Sequence, residues 1–113
     1  MTKEELYLKT IFCCIACDGN IATEEVDMVR NLCAKDRIFH NLDSEEYLNS
    51  WITEINEQGG VFLQTYLKEI NSVELNKQEQ LLLASLAIKA IEADNSIEYA
   101  EVKFFKRYVQ NLI

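Results

Sequence analysis

The sequence of 113 residues has no proline and only three glycines. Their scarcity argues against collagen-like, linker-rich and many-turned β architectures. The chain also lacks an apolar run of the roughly 18 residues that cross a bilayer. Its first residues, Met1-Thr2-Lys3-Glu4-Glu5, contain no basic segment ahead of an apolar stretch. We therefore expect no secretory signal peptide, and the predicted location is the cytoplasm.

Positive charge is scarce as well, since 11 Lys and Arg residues stand against 19 Asp and Glu, a net charge of −8. Such a chain repels phosphate backbones and anionic lipid, so neither nucleic acid nor a membrane is an expected partner. Residues 41–76 hold seven acidic residues and one lysine, whereas Lys103, Lys106 and Arg107 lie near the end. These poles are either solvated surfaces or guides for a protein partner or a homo-oligomer.

A hydrophobic content of 49% is enough to bury a core in one domain spanning residues 1–113. Apolar residues recur at helical spacing throughout, which predicts an all-α bundle of about six helices. Asp43-x-x-Glu46 and Asn76-x-x-Glu79 have capping-box spacing, and Gly59-Gly60 is typical of a helix end. The predicted helices cover about 3–17, 23–36, 44–57, 61–71, 77–93 and 98–111.

The chain contains an internal repeat with a shift of about 76 residues, in which residues 17–26 align with residues 93–102. The repeat segments span about 4–36 and 80–112, and each begins with an unusually apolar helix. A helix that is apolar nearly all round is buried on most sides. We therefore predict two pseudo-symmetric halves around a central antiparallel pair formed by the first and fifth helices. The predicted core residues are Ile15, Ile21, Ile91, Ile97 and Trp51.

Both copies contain the motif Asp-(Gly/Asn)-x-Ile-x-x-x-Glu. The repeat aligns Asp18 with Asp94 and Glu25 with Glu101. The aspartate can accept backbone N–H groups in the turn, and the glutamate, in the next helix's first turn, can point back at the loop. The spacing also matches the second half of an EF-hand loop. The first copy has no oxygen side chain at the two leading ligand positions, whereas the second adds Glu92. The sequence leaves two interpretations open, helix capping or a bound divalent cation such as calcium, magnesium or manganese.

Four cysteines, Cys13, Cys14, Cys17 and Cys33, lie in the first third of the chain. With His40, the only histidine, three of them superficially resemble a zinc site, and Cys14-x-x-Cys17 resembles a redox motif. The repeat argues against both, because it aligns these cysteines with core positions of the second copy. They are predicted to be buried free thiols. The cysteines and their aligned residues are Cys14 with Ala90, Cys17 with Ala93 and Cys33 with Val109.

The duplicated motif on an acidic, all-helical chain resembles the TerB-like family, named for a tellurite-resistance protein. The stretches that carry the resemblance are Ala16-Cys17-Asp18-Gly19-Asn20-Ile21-Ala22-Thr23-Glu24-Glu25 and Glu92-Ala93-Asp94-Asn95-Ser96-Ile97-Glu98-Tyr99-Ala100-Glu101. The resemblance implies a cytoplasmic bacterial protein with one bundle of two halves. It also implies a stress-linked, non-catalytic module with an acidic metal-binding surface. The residues that match by position are Asp18, Glu25, Asp94 and Glu101.

The leading functional expectation is therefore a non-catalytic module that binds a divalent cation or a protein at its acidic corners. The alternative is a structural adaptor whose motif acids only cap helices. An enzyme is not expected, because no serine–histidine–acid or cysteine–histidine arrangement can be built around His40.

Overall fold

Local capping groups set helix ends in this chain. A computed structural model describes residues 2–16 and 21–93, with the backbone alone for 91–93. It places the helix ends close to the predicted positions. The all-α class is confirmed. The predicted sixth helix over 98–111 lies outside the described residues. The described elements are α1 (Lys3–Ile15), α2 (Thr23–Lys35), a short 3-10 helix (Arg37–Phe39), α3 (Ser44–Gln58), α4 (Gly60–Ser72) and α5 (Lys77–Ala93).

The caps explain these boundaries. The Asp43 carboxylate accepts the Glu46 N–H at 3.3 Å and starts α3. At the start of α5 the cap is reciprocal: Asn76 Oδ1 accepts the Glu79 N–H at 2.8 Å, and Glu79 Oε1 accepts the Asn76 N–H at 3.1 Å. Gly59 separates α3 from α4 with a φ of 58°, a backbone region that favours glycine.

The residues between the predicted helices 23–36 and 44–57, which include His40, begin with the 3-10 helix Arg37–Phe39. The Asp36 carboxylate accepts the Ile38 N–H at 3.3 Å, which starts this turn. This 3-10 helix buries the side chain of Phe39 in the core. A single side-chain hydrogen bond thus starts a short helical turn that the hydrophobic periodicity does not predict.

Helix α1 is the centre of the bundle. Every residue from Leu6 to Ala16 is buried, and α1 contacts each of the other four α-helices. Phe12 packs its ring 5.7 Å from those of both Trp51 and Phe62, which ties α1 to α3 and α4. The prediction that the apolar first helix is buried on most sides is confirmed.

The predicted antiparallel pairing of the first and fifth helices is wrong. Lys3 and Glu79, each in the first turn of its helix, form an ion pair at 2.5 Å. Farther along, Ile11 of α1 lines the same cleft as Leu86 and Lys89 of α5. The two helices therefore run in the same direction. The apolar content of a helix carries no information on its direction, and three α-helices separate α1 from α5 in the chain.

Helix α5 is also less buried than its composition predicts. Leu81 and Ile88 expose 70% and 45% of their surface. The opposite face of α5 packs against α1 with Leu83, Leu86, Ala87 and Ala90 buried. The apolar outer face of α5 is therefore a surface feature rather than part of the core.

Among the predicted core residues, Ile15 and Trp51 are buried, which confirms them. Ile21 is half-buried and packs against the core just before α2 begins, so it is only partly covered. The side chain of Ile91 and all of Ile97 lie outside the described residues. None of the helices in the described ranges is long and apolar enough to cross a membrane.

Candidate functional site

The first copy of the acidic motif surrounds the corner between α1 and α2. Glu25, in the first turn of α2, accepts the backbone N–H of Ala22 on its Oε1 at 2.9 Å. Ala22 is the N-cap residue, with an extended backbone (φ −85°, ψ 160°) and a methyl side chain that cannot accept a hydrogen bond. The glutamate therefore points back at the loop, as the motif predicts, and stabilises the start of α2.

The other predicted cation ligands are not described. Asp18, Asp94 and Glu101 lie outside the described residues, and so does the side chain of Glu92. Within the part of the chain whose side chains are described, no three His, Cys, Asp or Glu residues are grouped closely enough to hold a metal ion. Glu25 and Ile21 are thus the two motif residues whose structure can be compared with the prediction.

Three of the four cysteines, Cys13, Cys14 and Cys33, are buried, as predicted, whereas Cys17 lies outside the described residues. Burial raises the pKa of Cys13 well above its ordinary value. Burial also raises the pKa of Cys33 to about 12. Both thiols are therefore protonated at neutral pH, and a protonated thiol is a poor nucleophile and a poor metal ligand.

Cys33 and His40 nevertheless line the same cleft, of about 230 Å³, between α2 and the start of α3. Arg30 lines it too, and binds Glu45 through two nitrogen atoms, at 2.7 and 3.1 Å. The charged side chains at this cleft thus compensate each other. Cys33 and His40 are then the two side chains in this cleft that could bind zinc. A structural zinc site needs four ligands.

A buried polar pair that the sequence analysis missed joins α1 to α4. Lys9 is 5% exposed, and its Nζ donates to both carboxylate oxygens of Glu69, at 2.9 and 3.1 Å. The ammonium also lies 4.9 Å from the centre of the Phe62 ring and 5.9 Å from that of Trp51. The sequence signal was present, because Lys9-Thr10 interrupts the apolar run of α1, but the partner 60 residues away could not be read from it.

A second buried pair lies beside the first. The Thr10 hydroxyl donates its one proton to the Leu6 carbonyl at 2.8 Å. Tyr66 must therefore donate its own hydroxyl proton to Thr10, at 2.6 Å. Because Thr10 follows Lys9 on α1 and Tyr66 precedes Glu69 on α4, the two pairs fix the register between these helices. Their polar atoms satisfy one another, which is typical of a structural network.

Two further clefts open at the surface of α1. One, of about 320 Å³, lies at its N-terminal end, where Tyr47 donates its hydroxyl to Glu5 Oε1 at 2.6 Å. That hydrogen bond raises the pKa of Tyr47. The other cleft, of about 190 Å³, lies between α1, α2 and α5. Its lining residues are Ile11, Leu32, Lys35, Asp36, Leu86 and Lys89.

Comparison with known proteins found no matching family model, no matching curated protein and no matching solved structure.

Proposed function

We propose that this chain is a non-catalytic, TerB-like module of a tellurite-resistance-type stress response. In this proposal it acts by binding a divalent cation or a protein at its acidic inter-helix corners. The observation that carries the proposal is Glu25 at the start of α2, whose Oε1 turns back to accept the N–H of Ala22, a residue four positions after Asp18 in the chain. A carboxylate held in that place suits calcium, magnesium or manganese, which prefer oxygen ligands.

The direction of α5 supports a site shared between the two copies. Since α1 and α5 run the same way, their C-terminal ends lie at the same end of the bundle. Asp18 follows α1 by three residues and Asp94 follows α5 directly. In the proposed arrangement of two pseudo-symmetric halves with about six helices, Asp18 and Glu25 thus approach Asp94, Glu101 and Glu92. An antiparallel pair would separate the corners by the length of a helix.

The buried polar groups of the described core support a non-catalytic role. Lys9 is bound to Glu69, and Thr10 to Tyr66. A catalytic acid, base or nucleophile needs access to a substrate, whereas these groups pair with each other inside the α1–α4 interface.

A specific observation favours the alternative, an adaptor whose motif acids only cap helices. The Glu25 oxygen that accepts the Ala22 N–H already has a structural role. On this alternative the duplicated acids stabilise the two corners, and the surface of the bundle carries the function through contacts with a protein.

Thermal unfolding of the full chain with calcium, magnesium or manganese distinguishes cation binding from the alternative in which the motif acids only cap helices. We expect at least one cation to stabilise the parent, by about 2.7 kcal/mol when its concentration is a hundred times its Kd. Asp18→Asn combined with Asp94→Asn should abolish this stabilisation and leave the helical circular dichroism unchanged. The matched control combines Glu4→Gln and Glu74→Gln, which remove the same charge outside the motif, and should retain the effect.

The cation-binding part of the proposal fails if none of the three cations stabilises the parent. If, in addition, the Asp18→Asn and Asp94→Asn variant loses helix without metal, the capping alternative replaces it.

A further inference from the structure

The outer face of α5 presents two large apolar side chains to solvent. Leu81 and Ile88 are 70% and 45% exposed. They are seven residues apart, so they lie two turns apart on one face of the helix. We call these two residues the α5 ridge. Lys89 lies on the side of α5 that turns toward the cleft between α1, α2 and α5.

That cleft has an apolar floor and a size that fits one side chain. Ile11, Leu32 and Leu86, one from each helix, supply the floor, and the volume is about 190 Å³. A dry protein cavity of about 150 Å³ accommodates a benzene ring. Sites for whole small ligands are larger, typically about 300–1,000 Å³. The cleft is therefore matched to a single aliphatic or aromatic side chain of a larger partner.

The rim of the cleft is positively charged, although the chain has a net charge of −8. Lys35 and Lys89 both line it and are exposed. Among the residues that the structure describes, neither lysine has an ion-pair partner. The third charged residue, Asp36, lowers the net charge of this rim to +1, and its carboxylate accepts the Ile38 N–H. Lys77 adds a further positive charge one turn before Leu81.

We propose that the α5 ridge and the adjoining cleft dock an amphipathic acidic helix of a partner protein. The partner helix would insert one large apolar side chain into the cleft, pack further apolar residues on Leu81 and Ile88, and place carboxylates beside Lys35 and Lys89. An apolar anchor in a pocket with a charged rim is a common way to recognise a helix.

A second copy of this chain fits the surface less well. A two-fold dimer brings the same patch of both chains together, which here sets lysines against lysines. The carboxylates of a different, acidic partner match this rim instead. The surface shares no residue with the proposed cation ligands, so the proposal does not depend on a bound cation.

The test uses the full chain and a fluorescent helical peptide with Leu and Phe on one face and Glu along both edges. We expect saturable binding that weakens as salt is raised, because the rim charges are exposed. Combining Lys35→Glu with Lys89→Glu should weaken binding by about tenfold or more. Combining Leu81→Ser with Ile88→Ser should weaken it similarly, although both side chains lie outside the core.

Two matched variants test whether the effect is local. Lys68→Glu and Val61→Ser change an exposed lysine and a 56% exposed valine, both on α4, and should leave peptide affinity unchanged. The proposal is overturned if the peptide does not bind, or if the α4 variants weaken binding as much as those at the cleft. It is also overturned if sedimentation shows a dimer that Leu81→Ser and Ile88→Ser dissociate, because the occupant is then a second copy.

Discussion

Lys9 places an ammonium group inside the core, and its cost is offset by one carboxylate and two aromatic rings. Its side chain is 6% exposed, whereas that of its partner Glu69 is 28% exposed. The two charges are therefore not equivalent. Glu69 retains access to water if the pair is broken, but Lys9 does not. At the residue scale, this asymmetry decides which substitution destabilises the protein more.

We expect Glu69→Ala to reduce the free energy of unfolding by an amount near the lower end of about 3–5 kcal/mol, because it leaves a buried charge unpaired. Lys9→Met should cost clearly less, since Met keeps most of the apolar stem and the remaining carboxylate can hydrate. Urea denaturation measures both, with Lys68→Ala as the control at the neighbouring, exposed position. Equal costs for the two substitutions would contradict the asymmetry.

Cys33 gives the protein a dependence on alkaline pH. Its folded pKa is about 12, against an ordinary value of 9.0. Its contribution to stability is complete below pH 9 and is lost as pH rises toward 12, because the unfolded thiol ionises first. We expect the free energy of unfolding to fall from about pH 9 toward pH 12 more steeply in the parent than in Cys33→Ala.

Chemical denaturation across this pH range measures the difference in slope, and comparison with Cys33→Ala removes the contributions of tyrosines and lysines. Parallel slopes would show that the Cys33 thiol is not shielded in the folded state.

At the scale of single helices, the boundaries were predictable because the signals are local. Asp43, Gly59 and Asn76 act on backbone groups within four residues, so their effect can be read from spacing alone. The direction of α5 beside α1 was not predictable, because it depends on which surfaces pair after folding. The ion pair between Lys9 and Glu69 could not be predicted for the same reason. Nor could the exposure of Leu81 on an apolar helix.

The start of α2 lacks one cap that the starts of α1, α3 and α5 possess. Thr2, Asp43 and Asn76 each accept a backbone N–H, whereas Ala22 cannot. We expect Ala22→Ser to raise the free energy of unfolding by about 1 kcal/mol, because Ala22 is exposed and already has the extended backbone of an N-cap.

Thermal or urea unfolding measures the gain, and Ala34→Ser, at an exposed position within α2, is the matched control that should not stabilise. A loss of stability in Ala22→Ser would contradict the assigned cap position. The same variant leaves Glu25 unchanged, so it tests the corner without touching a proposed cation ligand.

At the scale of the whole molecule, the parallel course of α1 and α5 places their C-terminal ends at the same end of the bundle, and the proposed cation site depends on this arrangement. The motif predicts a glutamate in the first turn of α2 that points back at the preceding residues, and the Oε1 of Glu25 accepts the Ala22 N–H. The sequence analysis assigned the helix directions wrongly, although the corrected direction favours a shared end better than the predicted one. The proposed function places a divalent cation at that end of the bundle.

The most direct measurement is NMR of the full chain during a titration with manganese, whose paramagnetism broadens nearby amide signals. The account predicts early broadening at Ile21, Ala22 and Glu25, beside the corner, which Asp18→Asn with Asp94→Asn abolishes. Broadening at Glu4 and Glu5, at the opposite end of α1, should require much more manganese. Equal broadening at both ends, or none at the corner, would contradict the proposed cation site.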